Sequence, residues 1–295
     1  MKKIKILIPI YNDWKSLFKL LENIDHQIKK WDANVSILIV NDSSTDQRIK
    51  NNLQFKTIKS IKILNMKKNR GHARCNASGL KYITEKEDFD YVILMDGDGE
   101  DRPEELSALF KKSEENPYKT VTANRVKRSE GFIFKLLYEM HKLLTYFFTG
   151  RSIKFGNYSC LPKKDASKLV KEACIWSSYS GSITKIISDR VSIPSFRGSR
   201  YFGPSQMSLL NLLAHSFSII AVFKKTVIVR SILFSIIYLF LVSNNISIIT
   251  LFPILLILIF ILIIFKISYR ENIEELNNSL ENINTIDILS NSDNW

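Results

Sequence analysis

Asp96 and Asp98 stand one residue apart, with only Gly97 between them, directly after the apolar run Tyr91-Val92-Ile93-Leu94. That run is rich in strand formers, so the two carboxylates fall where a buried strand ends. In an open α/β sheet, ligands bind at the carboxyl ends of the strands. Carboxylates placed there can aim at one hard cation that also holds phosphate oxygens. Behind them, Asp101 three residues before Glu104 reads as a helix N-cap with its capping-box partner, and Pro103 suits the first turn. A calcium loop of EF-hand type needs glycine at its sixth position and glutamate at its twelfth. Counted from Asp96, those positions hold Asp101 and Ser107, which excludes it. A solvated acidic turn is the remaining alternative to metal-bound diphosphate chemistry.

The elements that must position this pair are legible as alternating strands and helices. Ile4 to Ile8 reads as a strand ending at Pro9, followed by a helix from Trp14 to about Ile28. Val35 to Val40 is a second strand, closed by Asn41-Asp42-Ser43-Ser44-Thr45-Asp46. Ile58 to Leu64 is a third, leading to a helix start at Asn69 to Gly79; Tyr91 to Met95 is the fourth, and Thr120 to Ala123 a fifth. Such alternation implies a mostly parallel sheet with helices on both faces. Polar clusters at the strand ends are the expected layout of a nucleotide site.

The chain has 295 residues and a net charge of +13, unevenly spread. Residues 1–118 carry 21 Lys and Arg against 18 Asp and Glu, whereas residues 119–225 carry 18 against 5. A basic half before a membrane segment suits an anionic bilayer and anionic substrates, a simpler account than nucleic acid. Val227 to Ser243 is almost wholly apolar, and Ile246 to Phe265 holds twenty residues without a charge. About 20 apolar residues span a bilayer core. The two stretches, separated only by Ser243-Asn244-Asn245, are therefore expected to form a transmembrane hairpin. Lys224, Lys225 and Arg230 at one outer end, and Lys266 and Arg270 at the other, place those ends and the N-terminal body in the cytoplasm. No signal peptide is expected, since Ile4 to Ile10 is too short and lacks a cleavage site. Gly131 to Thr149 reads as an apolar and basic helix. Met207 to Phe223 reads as an amphipathic segment lying in the interface. Cys75, Cys160 and Cys174 show no metal or redox pairing. The expected organisation is a catalytic domain over 1–205, with a nucleotide half at 1–118 and an acceptor half at 119–205. An interfacial segment at 206–225, the hairpin at 226–265 and a flexible cytoplasmic tail at 266–295 follow.

Four segments in order resemble family 2 glycosyltransferases of the GT-A fold. Ile8-Pro9-Ile10-Tyr11-Asn12 is similar to their opening Pro-x-Tyr-Asn, and Val40-Asn41-Asp42-Ser43-Ser44-Thr45-Asp46 to Val-Asp-Asp-Gly-Ser-x-Asp. Asn69-Arg70-Gly71-His72 resembles the Asn-x-Gly-His/Lys helix start of the dolichyl- and undecaprenyl-phosphate sugar transferase branch. Asp96-Gly97-Asp98-Gly99-Glu100-Asp101-Arg102-Pro103-Glu104 resembles that branch's Asp-Ala-Asp-Leu-Gln-Asp-Pro-Pro-Glu. Gly156-Asn157-Tyr158 is similar to a Gly-Asp-Phe, and Arg200 to Ser205 to an Arg-Phe-x-Gly-x-Ser ahead of the membrane helices.

The resemblance implies a membrane-anchored, inverting, metal-dependent transferase that moves a sugar from a UDP- or GDP-linked donor to a polyprenyl phosphate. Pro9 and Tyr11 would frame the base, with Asn12, Asp46, Asn69 and Gly71 completing the nucleotide site, and Asp42 would bind base or ribose. Asp96 would position the nucleotide sugar, and Asp98, with Asp96, would ligate Mg²⁺ or Mn²⁺ at the diphosphate. Departures fall at Asn41 for an acid, Ser43 for a glycine, Arg102 for a proline, Asn157 for an acid and Gln206 for a lysine.

A hydroxyl acceptor needs a general base. Residues 119–225 hold only Glu130, Glu139, Asp165, Glu172 and Asp189, none in a recognisable signature. A phosphate acceptor is already an anion and needs orientation and charge balance instead. Arg125, Arg128 and Arg200, with Ser205, are the candidates for acceptor or diphosphate oxygens. His72 and His141 read as ordinary helix residues. Another membrane-proximal saccharide or lipid acceptor, or a non-catalytic membrane scaffold of the same fold, are the alternatives.

Overall fold

The computed structural model describes residues 1–48, 54–127, 132–204 and 209–289. Four parallel strands form its centre: β1 (Lys2–Ile10), β2 (Ala33–Asn41), β3 (Ser60–Met66) and β4 (Tyr91–Leu94). In register, Ile6 lies beside Ile37 on one side and Ile93 on the other. Side chains alternate across this sheet, as the period of a strand requires. Ile4, Ile6 and Ile8 pack on one face under helices α1 (Trp14–Gln27) and α3 (Leu106–Glu115). Leu7, Leu38, Val40 and Leu64 pack on the other under α2 (His72–Lys86). Both faces are covered, so the central strands read as continuous apolar runs.

Beyond β4 the sheet continues through β5 (Thr120–Lys127), β6 (Phe155–Pro162) and β7 (Arg190–Phe196). The helices α4 (Phe132–Thr149), α5 (Lys163–Leu169) and α6 (Tyr179–Ile186) connect them. The strand order is β7-β5-β6-β4-β1-β2-β3-β8, with β6 antiparallel to both β4 and β5. The expected α/β class is observed. The three cysteines are buried free thiols.

The eighth strand corrects the expectation of a flexible tail. After α10 (Ile273–Asn277), β8 (Ile283–Leu289) pairs antiparallel with β3, setting Asn65 beside Thr285 and Leu64 beside Ile286. Without it, β3 would present an open edge of unpaired backbone groups. The Asn-rich composition hid a short strand whose pairing comes from the far end of the chain.

The C-terminal helices are α7 (Leu209–Ala221), α8 (Lys224–Leu241) and α9 (Ile248–Ser268). They share a small core with α4, where Phe148 and Ile220 meet Val227 and Ile264. The Phe147 and Phe234 rings stack with centroids 4.0 Å apart. Among the described residues, one helix, beginning at Ile248, is long and apolar enough to cross a membrane. Of the expected pair of spans, the second meets that test; α8 carries Lys224, Lys225 and Arg230 within its 18 residues. The two helices nonetheless return to one level, where Lys224 Nζ meets Glu271 Oε2 at 3.0 Å.

Gly79 sets how closely α2 approaches the sheet. A Cβ there would lie 2.4 Å from Leu7 Cδ1 and 2.8 Å from Val40 Cγ2. Overpacking of this kind costs about 1–3 kcal/mol. Gly79→Ala is therefore expected to lower the thermal midpoint by several degrees. An unchanged midpoint would show that α2 has slack against β1 and β2.

Candidate active site

Gly97 aims the two aspartates. Its Cα is pressed against β1, where a Cβ would meet Ile10 Cγ2 at 2.9 Å, so its neighbours turn outward. Asp96 Oδ1 then accepts from Asn157 Nδ2 at 3.0 Å and lies 3.2 Å from His72 Nε2. His72 opens α2 immediately after Gly71, whose φ of +89° only glycine adopts without strain. Burial opposes a charged imidazole, but the Asp96 carboxylate outweighs it and holds the His72 pKa above its usual value. Asp96 correspondingly titrates below the normal carboxylate range, since His72 and the Asn157 amide outweigh its burial.

Asp98 is answered by Arg200. The guanidinium donates from Nη1 to Asp98 Oδ2 at 2.6 Å and from Nη2 to Asp13 Oδ2 at 2.5 Å. A strap over residues 197–201 carries it there. Gly198 N donates to the Glu100 carbonyl and Tyr201 N to the Asp98 carbonyl, each at 2.9 Å. Arg197 pairs with Glu100. The Tyr201 ring lies flush on Gly99, where a Cβ would be 2.5 Å from Cε2, and φ at Gly99 is +91°. Despite Arg200, burial and the neighbouring Asp96 and Glu100 push Asp98 up to about 6.

Asp101 is not the helix cap expected of it. No side chain caps the 3₁₀ turn Pro103–Glu105; Asp101 is buried and its Oδ2 accepts the Asp96 N–H at 2.9 Å. Burial and the charge on Asp96 raise it to about 7. A carboxylate that close to other carboxylates gains more from locking the Asp96 backbone than from capping an exposed turn.

The sequence-derived nucleotide residues gather at the ends of β1 and β2. Tyr11 is exposed, and Pro9 is buried beside Val40. Asn12 stitches the two loops: its Oδ1 accepts from Thr45 N at 2.8 Å and Asp46 N at 3.1 Å. Ser43 takes φ +59°, which accounts for a glycine in the motif it resembles. Asp42 is buried, and its two oxygens accept Arg70 N and Gly71 N at 2.8 Å. It thus ties the β2 loop to the start of α2. Asn69 is exposed beside it. Asn12, Asp46, Arg200 and Phe202 line a neighbouring cleft of about 230 Å³. Arg125 reaches towards Asp96 and Asp101 along Gly156, where a Cβ would lie 2.6 Å from its Nη2. Arg128 and Ser205 lie outside the described residues.

Sequence reasoning took His72 for an ordinary helix residue and did not single out Asp13 or His215. His72 was visible as the first helical residue after a strand on the same sheet edge as Asp96. His215, half-buried on α7, lies near His72 and Asp96; burial and the His72 charge hold its imidazole down to about 4, so it is neutral at pH 7.

A divalent cation fits this arrangement. Asp96 and Asp98 offer hard oxygens, and the raised Asp98 and Asp101 mark an excess of negative charge that Arg200 only partly offsets. Among the described residues no cluster of three or more His, Cys, Asp or Glu forms a cage. The ion would have to be completed by substrate oxygens, the usual habit of Mg²⁺ at phosphates.

The model of glycosyl transferase family 2 matches residues 5–167. Mannosyl-3-phosphoglycerate synthase from Rubrobacter xylanophilus is similar in fold, at 12% identity and a TM-score of 0.51, over 75% of this chain and 72% of that one. Glucosyl-3-phosphoglycerate synthase from Mycobacterium tuberculosis, in complex with Mn²⁺, UDP-glucose and phosphoglyceric acid, matches at 12% identity and a TM-score of 0.50. That match covers 77% of this chain and 80% of the other. The chain belongs to glycosyl transferase family 2 and is a transferase with a GT-A-like α/β domain.

The raised carboxyls predict a pH dependence. A group whose folded pKa exceeds its unfolded value of 3.8 contributes its full stability below that value and loses it as pH rises through the folded one. Chelated protein should therefore lose stability between pH 4 and pH 8. Asp101→Asn, which still accepts the Asp96 N–H, should flatten that loss by something on the order of 3 kcal/mol. Parallel denaturation profiles for the two proteins would contradict the assignment.

Proposed function

From membership of that family, we propose that the chain is a membrane-anchored, inverting glycosyltransferase. It moves a sugar from a nucleotide-sugar donor to a polyprenyl phosphate at the cytoplasmic face. One observation carries the acceptor class: the described acids of the acceptor half are occupied elsewhere or exposed. Asp165 accepts from Thr120 Oγ1 at 2.6 Å, Glu139 pairs with Lys142, Asp189 pairs with Lys119, and Glu172 is at the surface. What borders Asp96 from that half is Asn157 and Arg125, with His215 of α7 nearby. Such surroundings suit an acceptor that arrives already ionised.

In this reading the nucleoside lies across Tyr11 and the loop 41–46, with the diphosphate at Asp98 and Arg200. Asp96 and Asp98 would hold Mg²⁺ or Mn²⁺, which when bound neutralises the departing nucleoside diphosphate as a Lewis acid. Asp96, kept ionised by His72, orients the sugar. Arg200 leaves its pairing with Asp98 for the diphosphate as the donor enters. A phosphate oxygen of the lipid attacks the anomeric carbon from the opposite face. The bond from that carbon to the diphosphate oxygen breaks, and no proton has to be removed. Arg125 meets the lipid phosphate, because it approaches Asp96 from the acceptor half.

Membranes bearing the protein, incubated with labelled UDP- and GDP-sugars, should transfer label to extractable lipid. Label confined to saccharide or protein would contradict the acceptor class. Asp98→Ala should reduce transfer by roughly two orders of magnitude or more. Loss of one charge-assisted contact costs about 1.5–3 kcal/mol, roughly ten- to a hundredfold. Arg125→Ala should show that loss in lipid use with donor binding near wild type, and Arg200→Ala should show it in donor binding. The reverse pattern would exchange their roles.

The hairpin of α8 and α9 is proposed to cross the bilayer with both outer ends on the cytoplasmic side. A cysteine replacing Asn244 should react with an impermeant reagent from outside, while one replacing Glu281 should not. The opposite labelling would overturn the cytoplasmic donor site.

A further inference from the structure

The strand that returns from the membrane helices to the sheet is joined to the β2 loop by an unbroken series of hydrogen bonds. Asp287 Oδ2 accepts from Asn65 Nδ2 at 3.2 Å, and Thr285 Oγ1 accepts from the same amide at 3.0 Å. Asn65 Oδ1 accepts from Asn41 Nδ2 at 3.0 Å. Asn41 Oδ1 in turn accepts from Ser44 N at 3.1 Å, and Ser44 Oγ accepts from Asn12 N at 2.9 Å. Asn41 is buried, with 8% of its surface exposed, so a mismatch there is not repaired by water.

The donor and acceptor sense of this series is forced from its C-terminal end. An ionised carboxylate only accepts, so Asp287 obliges Asn65 to present its amide nitrogen. The Asn65 oxygen must then face residue 41 and requires a donor. Residue 41 must also accept from Ser44 N. An asparagine meets both demands; a carboxylate at this position would set one acceptor against another. Arg48, on the same loop, is held to Asp287 by its Nη1 at 3.2 Å. A second tie fixes the neighbouring element. Glu275 Oε2, in the same segment, accepts from Trp176 Nε1 at 2.8 Å and pairs with Arg70, whose N–H is held by Asp42.

We propose that β8 is a built part of the nucleotide site. Asp287 and Asn65 act as positioning residues: they fix the orientation of Asn41 and with it the loop 41–46 that receives a nucleoside diphosphate. The proposal rests on the donor site argued above. It adds that the segment beyond the membrane helices sets donor affinity, so that the anchor and the nucleotide loop fold as one unit. The amide at position 41, where the resembling motif carries an acid, is the counterpart of a carboxylate at 287.

Reversing the polarity of the series tests this. In full-length protein, Asn41→Asp places an acceptor against the Asn65 oxygen. It should weaken binding of UDP or GDP, titrated calorimetrically with Mn²⁺, by about tenfold, and lower the thermal midpoint. Asp287→Asn should have a smaller effect, since its amide oxygen still accepts. The double variant lets Asn65 turn over, donating to the new carboxylate on β2 and accepting from the new amide on β8. It should bind nucleotide several-fold more tightly than Asn41→Asp alone and regain hydrogen-exchange protection at the Ser44 amide. In turnover, Asn41→Asp alone should raise KM for the donor with kcat little changed. Additive losses in the double variant, or an Asn41→Asp protein indistinguishable from wild type, would overturn the proposal. If wild type binds neither nucleotide, the donor reading fails, while midpoint and Ser44 protection across the four proteins still decide whether the series is coupled.

Discussion

Four carboxylates within six residues, Asp96, Asp98, Glu100 and Asp101, have to coexist at the end of one buried strand. Burial disfavours each charge and proximity disfavours them jointly. The surrounding structure is arranged to answer them singly. His72 comes from the start of α2, Asn157 from β6, and Arg197 and Arg200 from a strap laid across the loop. Gly97 and Gly99 let β1 and the Tyr201 ring close on the loop from opposite sides. Neutralisation remains incomplete, as the raised Asp98 and Asp101 show, and that residue of negative charge is what a divalent cation with a diphosphate would complete.

The same constraint explains why elements remote in sequence converge here. α2 must sit close on the sheet to deliver His72, which Gly79 permits. The strap precedes the helices α7, α8 and α9, whose small core with α4 brings His215 near His72 and Asp96. The chain then returns to the far edge of the sheet as β8. The loops after β1 and β2, the segment from β5 to β7 and the apolar helices are therefore successive parts of one packed body.

Much of this was legible in the sequence, and what was not has identifiable causes. The strand ends at Asn41, Leu94 and the Asp96/Asp98 pair followed from apolar runs closed by polar clusters, because those patterns are local. Asp101 was misassigned since its spacing to Glu104 imitates a capping box, while its actual partner, the Asp96 N–H, exists only once the loop is folded. Arg200, a candidate for either acceptor or diphosphate oxygens by sequence, is folded back by the strap onto Asp98 and Asp13. β8 escaped because seven residues of mixed polarity become a strand only beside β3. α8 grows from the shorter apolar stretch, and the basic residues at its start separate it from α9.

The carboxylate cluster is proposed to be half of a metal site whose other half is the donor diphosphate. Mn²⁺ binding followed by electron paramagnetic resonance, with and without UDP or GDP, measures this. One tightly held Mn²⁺ per chain should form only when a nucleoside diphosphate is present, and it should be lost in Asp98→Asn. Equally tight Mn²⁺ binding without nucleotide, or none with either nucleotide, would contradict it.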